Sequence, residues 1–179
     1  MGKIMHQLKE NVFQALFTLM RILFGVGWLF AGVTKITEKN WYSEPGVFIK
    51  NYLIMAVEKP NVPEFYKYFI QHFALKHYMF FNYTIPVVQI TIGILLIVGL
   101  MILPSILICL FMHINFILSG NMNLISLTLY TSAFAILLSL NRSYVLSLDR
   151  YIGFEKYINT KRQKIVDQRN YKQPQVLNT

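Results

Sequence analysis

"RILFGVGWLFAGVTKI", Arg21 to Ile36, decides how this chain is read. It closes an apolar segment that begins near Val12, and it opens on an arginine set among Leu, Ile, Met and Phe. A guanidinium keeps its proton in proteins and is costly in hydrocarbon, so Arg21 needs a counterpart. At about 100° per residue, Gln14, Thr18, Arg21, Gly25, Trp28, Gly32 and Lys35 fall on one stripe of a helix. That stripe carries the polar and small residues, and Leu, Ile, Phe and Val cover the rest. The pattern predicts a helix with a polar face turned inward and an apolar face turned to lipid, its glycines admitting a neighbouring helix or a flat ligand. About nine residues at roughly 1.5 Å each separate Arg21 from the start of the segment, which puts it near mid-membrane.

Further along the 179-residue chain the apolar residues again come in blocks. Hydrophobic residues make up 55% of it and the mean hydropathy is +0.44, too apolar for an ordinary soluble domain. Four blocks approach the ~20 residues that cross a bilayer: about 12–33, 82–103, 104–119 and 124–140. The expected fold is an all-α membrane protein, a four-helix transmembrane bundle over residues 1–153, followed by a basic tail over 154–179. The first block has basic residues before it, Lys3 and Lys9, but is too long for the core of a signal peptide and lacks a small-residue cleavage pattern, so it reads as a retained helix.

Charge sets the orientation. The formal net charge is +9, and Arg142, Arg150, Lys156, Lys161, Arg162, Lys164, Arg169 and Lys172 crowd the C-terminal stretch. The positive-inside rule places this tail in the cytoplasm, and four spans bring the N-terminus to the same side of the plasma membrane. Beside membrane helices such a tail meets anionic lipid headgroups rather than nucleic acid. Residues 170–179 read as irregular.

The link over 34–81 then faces outward. It holds Trp41, Tyr42, Phe48, Tyr52, Tyr66, Phe69 and further aromatics, side chains suited to the headgroup level. Glu44–Ala56 and Val62–Phe81 read as amphipathic helices on the outer surface, with Phe65, Phe69 and Phe73 on one face and Pro63–Glu64 at a helix start. A separate extracellular domain would expose too many rings.

Within the spans, no Asp or Glu occurs, so the expected partners of Arg21 are the side-chain carbonyls of Gln89 and Asn115, backbone carbonyls, water or a ligand. Counting depth puts Gln89 and Asn115 near the level of Trp28. His113 is the one span histidine, which argues against bis-histidine haem, and no carboxylate or cysteine cluster supports a metal site. Thr128, Ser132, Ala135 and Ser139 suggest a small-residue packing stripe in the fourth span. The lone Cys109 excludes a thiol–disulfide relay within this chain. Glycine-rich nucleotide loops and nucleophile–base pairs are lacking. The ligand that suits these residues is flat, apolar and oxygen-tipped. A quinone fits, with its ring beside Trp28 and Gly25 and its carbonyls towards Arg21, Gln89 or Asn115, where a nearby positive group would favour the reduced anion.

Several short motifs resemble the DoxX/DoxD family of small four-helix membrane proteins. Arg21, Gly27, Trp28, Leu29, Phe30, Gly32 and Lys35, then Trp41 and Gly46, match its opening pattern. "NFILSGNMN", Asn115 to Asn123, resembles its N-F-x-x-(S/A)-G-x-x-x-N stretch with one residue fewer between Gly120 and Asn123, and "LSLDRYIG" its closing L-D-R segment with Asp149. The resemblance covers the chain to about Gly153. It implies the same four-helix fold and a membrane subunit of a quinone- or sulfur-linked redox system, since the DoxD branch resembles the small subunit of a thiosulfate:quinone oxidoreductase. It singles out Arg21, Trp28, Lys35, Trp41, Asn115 and Asp149, and implies a second redox subunit as partner, a homo-oligomer being the other expected assembly. Were the substrate a small sulfur oxyanion, Lys35 at the outer mouth would attract it, whereas the deeper Arg21 would require a hydrated path. Two other classes stay open: a non-enzymatic membrane scaffold that recruits a partner, and a small transporter, against which the lack of span carboxylates counts.

Overall fold

The computed structural model describes residues 2–172. Among these, the chain is all-helical, without strands. The first helix, α1, runs Gly2–Thr37, and α2 runs Val47–Glu58. Helix α3, Glu64–Phe69, continues into a π-helical turn, Ile70–Ala74. Then come α4 (Tyr78–Val98), α5 (Ile102–Leu118) and α6 (Leu124–Leu138), followed by the short α7 (Leu140–Ser143) and α8 (Leu148–Ile152), and α9 (Phe154–Lys172). By length and composition α1 and α4 are long and apolar enough to cross a membrane, while α5 and α6 are shorter apolar helices.

The stripe on α1 is the buried one. Thr18, Arg21, Gly25, Trp28 and Gly32 are all buried, Gln14 and Lys35 are partly covered, and Leu16, Leu19, Leu23 and Phe30 are exposed. The glycines serve a helix rather than a ligand. Helix α4 packs antiparallel to α1 along them: a methyl on Gly25 would lie 2.9 Å from the Gly93 carbonyl oxygen, and one on Gly93 would lie 2.6 Å from the Leu29 nitrogen. Gly32 abuts Pro86 and Ile90 in the same way. Helices approach this closely only where side chains are absent. On the other side, Phe24 and Trp28 join Leu96, Ile106, Cys109, Ile136 and their neighbours in one apolar core shared by α1, α4, α5 and α6.

Several boundaries differ from expectation. The break between the second and third apolar segments falls at Gly99–Met101, where both named residues have positive φ, and not at Pro104, which sits inside the first turn of α5. A proline is tolerated there because those N–H groups have no intrahelical acceptor. Arg21 lies level with this break, beside Gly99, so it is at the end of the α1–α4 overlap and not at its middle. The overlap ends there because α4 stops at Val98, whereas α1 runs on past Val12 towards Gly2. In α6 the packed residues are Ala133 and Ile136, with Leu129 and Leu137 beside them. Of the expected small-residue stripe, Thr128 is exposed and bonds back to the Leu124 carbonyl oxygen, whereas Ser132, Ala135 and Ser139 are half-buried at the edge of the packing face. The C-terminal stretch is helical through Lys172, and the rest of the expected irregular tail lies outside the described residues.

The aromatic link folds onto the bundle. Its core is Trp41, Ile49, Leu53, Ala56, Val62, Tyr66, Ile70 and Ala74, closed below by Ile85 of α4 and Leu118 of α5. The inward face of α3 and its π turn is therefore Tyr66, Ile70 and Ala74, whereas Phe65 is 67% exposed. The expected single helix over 62–81 breaks at Leu75–His77, and Tyr78–Phe81 already belongs to α4. Asn82, fully buried, ties the link down: its amide donates to the Trp41 carbonyl oxygen at 2.7 Å, and its side-chain oxygen accepts from the Gly46 N–H at 3.1 Å.

The seam predicts a contrast. Gly93→Ala is expected to destabilise the fold by about 1–3 kcal/mol, because its methyl meets backbone that cannot yield. Gly27→Ala would meet only the flexible Leu129 Cδ2 at 3.3 Å and is expected to be near neutral, both read by thermal unfolding in detergent.

Candidate functional site

Residues named from the sequence divide between the two ends of the bundle. At one end lies Arg21, 1% exposed. Its Nη2 donates to the Leu146 carbonyl oxygen at 3.1 Å, while Nε and Nη1 find no hydrogen-bond partner among the described residues. One turn earlier Thr18 donates to the Val145 carbonyl oxygen at 3.0 Å. The charge that acts on Arg21 is Asp149, fully buried. A carboxylate does approach the arginine, brought back by the chain after the last apolar helix, where a search confined to the spans does not look. Its two oxygens are committed to the start of α5: Oδ1 accepts from Met101 N–H and Oδ2 from Ile102 N–H, both at 2.8 Å. Asp149 N–H in turn donates to the Gly99 carbonyl oxygen at 3.0 Å. Asp149 thus supplies a helix cap from more than forty residues away, a favourable place for a negative charge.

Gly99 is the hinge of this arrangement. It has φ +76°, and a methyl there would overlap Arg21 Nη1. Only glycine meets both demands. Ser147 holds the returning turn by accepting from the Arg150 N–H at 3.2 Å.

Midway along the bundle, Trp28 packs against His113 with ring centroids 5.2 Å apart. Gln89 is 2% exposed and its Oε1, like both His113 ring nitrogens and Trp28 Nε1, lacks a hydrogen-bond partner among the described residues. Cys109 is buried in the same core as a free thiol.

At the opposite end, under the folded link, is an aromatic cavity of about 350 Å³. Phe69 and Phe73 from the link and Phe111 and Phe116 from α5 wall it. Its polar tips are Tyr52, Tyr66, Asn115 and Ser119. The Tyr66 hydroxyl donates to Asn115 Oδ1 at 3.0 Å, and the Asn115 amide donates to the Phe111 carbonyl oxygen at 2.8 Å, which leaves one amide hydrogen uncommitted. Tyr52 OH bonds Ser119 Oγ, which donates to the Phe116 carbonyl oxygen at 2.8 Å. Burial pushes the Tyr66 phenol up to about 12 and also raises Tyr52, so both stay protonated donors across the physiological range. An adjoining chamber of about 270 Å³ is bordered by Lys35, Lys39, Trp41 and Asn121.

Asn115, Lys35 and Trp41 therefore border cavities at this end, and Arg21, Gly25, Trp28 and Gln89 border neither of these two. Asn123 caps α6, accepting from the Ser126 N–H at 2.8 Å. No group of three or more His, Cys, Asp or Glu among the described residues is placed to hold a metal. Tyr52 and Tyr66 escaped sequence reading because aromatics fill the link, and only the fold shows which of them turn inward.

Scans of the chain against models of known families, curated proteins and solved structures returned no match.

Arg21 and Asp149 lie outside ion-pair distance, so any coupling between them acts through space. Arg21→Met is expected to destabilise by about 1–3 kcal/mol through the lost Leu146 bond, and Asp149→Asn by a similar amount because an amide can accept only one of the two N–H bonds at the start of α5. The double variant should lose less than the sum, measured as a thermodynamic cycle in detergent. Additive losses would show that the two charges do not act on each other.

Proposed function

We propose that this chain is a four-span plasma-membrane protein of the DoxX/DoxD kind that holds a quinone-like ligand, as a membrane subunit of a quinone- or sulfur-linked redox system. The observation that carries the reading is the aromatic cavity beneath the link. It is concave and apolar, with a few convergent polar groups, the usual character of a small-molecule site. A flat ring would lie among Phe69, Phe73 and Phe116. A carbonyl oxygen at its tip would accept from the spare Asn115 amide hydrogen. The site lies at the opposite end of the bundle from Arg21, so Arg21 organises the fold and does not touch the ligand. In a bilayer, α1 and α4–α6 would cross, the link would cap the outer side, and Arg142 with the basic residues after it would face the cytoplasm.

Lipid access agrees with this placement. Phe73 and Phe111 line the cavity and are themselves exposed, so the cavity borders the apolar belt through which a lipid-soluble ligand arrives.

Purification in mild detergent followed by mass spectrometry is expected to show a co-purified quinone. Added menadione should quench tryptophan fluorescence saturably. Asn115→Leu is expected to weaken menadione binding by about five- to tenfold, the worth of one hydrogen bond. A chain that retains no small molecule, shows no saturable quenching and instead captures a protein partner would overturn the ligand reading in favour of a scaffold.

A further inference from the structure

The smaller chamber has a chemistry of its own. It shares Ile49, Tyr52, Ile85 and Phe116 with the aromatic cavity, so the two meet across the Tyr52 and Phe116 rings. Its distinguishing residue is Lys35. The ammonium folds back to donate to the Ala31 carbonyl oxygen at 3.0 Å and stands 5.9 Å from the ring centres of both Trp41 and Phe116. An ammonium has three hydrogens, and this one bond uses one. Lys39 borders the same chamber, 5.0 Å from the Phe48 ring centre. No carboxylate lines it. Glu38 and Glu44 border the neighbouring hollow on the far side of Lys39, and neither lies within ion-pair distance of either lysine. A half-buried cation framed by ring faces, with no carboxylate in ion-pair distance among the described residues, suits an anion with an apolar body attached.

We propose that the two chambers form one site for an anionic amphiphile, with a carboxylate or phosphate group at Lys35 and its apolar ring or chain in the aromatic cavity. This rests on the reading that the aromatic cavity takes a flat apolar ligand, and it adds that the same cavity accepts such a ligand more tightly when it carries one negative group that reaches Lys35. A free organic acid and the headgroup of an anionic lipid share that chemistry.

The test uses the full chain in phosphatidylcholine nanodiscs with three probes: menadione, 2-naphthoate and its neutral isostere 2-naphthamide, followed by tryptophan quenching. The expected result is that naphthoate binds at least about tenfold more tightly than naphthamide, as a charge-assisted bond requires. Lys35→Gln should erase that preference and Lys35→Arg should keep most of it. Phosphatidylglycerol in the discs identifies the source. A lipid occupant weakens naphthoate binding in the wild type more than in Lys35→Gln, and a free acid leaves the two equally affected. Menadione binding with no preference for naphthoate over naphthamide, or a preference that survives Lys35→Gln, overturns the anionic site and leaves the quinone-like reading standing. Failure of all three probes to bind overturns both.

Discussion

A single buried guanidinium organises one end of this protein. Arg21 sits on the inward stripe of α1, where hydrocarbon would leave it uncompensated. The chain answers with three devices at once: a glycine at Gly99 that makes room, a carbonyl at Leu146 that accepts, and a carboxylate at Asp149 that supplies charge. Because Asp149 also caps α5, the same side chain that compensates Arg21 holds the start of the third apolar helix. Three stretches distant in sequence are thereby locked to one another. The arrangement is polar where a simple bundle would be apolar, and it depends on every member being present.

The other end is organised by shape rather than by charge. Glycines let α1 and α4 close to backbone contact, which aligns Asn82 of α4 beneath the link. Asn82 fixes Trp41 and Gly46, and from there α2 and α3 fold back over the bundle. The space left between this cap and α5 is the aromatic cavity.

Between the two ends lies a core that is apolar except for Trp28, Gln89 and His113. These are the residues that most resemble a ligand set in sequence, and two of them face each other as rings. Their polar atoms are buried within helix packing, away from both cavities under the link. Helical periodicity identifies an inward face, but it does not distinguish a face that meets another helix from one that meets a ligand.

The amino-acid sequence by itself determined the helical class, the four apolar segments, the buried stripe from Thr18 to Gly32 and the apolar outer face of α1, because each is a local matter of periodicity and hydropathy. It also marked Arg21 as a residue in need of a partner and Asn115 as a polar group worth watching. Only the tertiary structure decided which partner and which cavity. Asp149 lies outside every apolar segment, so no count of span residues could pair it with Arg21; the turn at Ser147 brings it back. Tyr52 and Tyr66 stand among many link aromatics, and their selection depends on how α2 and α3 rotate over Asn82. Of the two neighbours the glycines could admit, a helix or a flat ligand, it is the helix that sits there, because α4 carries its own glycine at the matching height. Contacts between residues far apart in the chain are set by packing geometry, and one-dimensional patterns do not contain it.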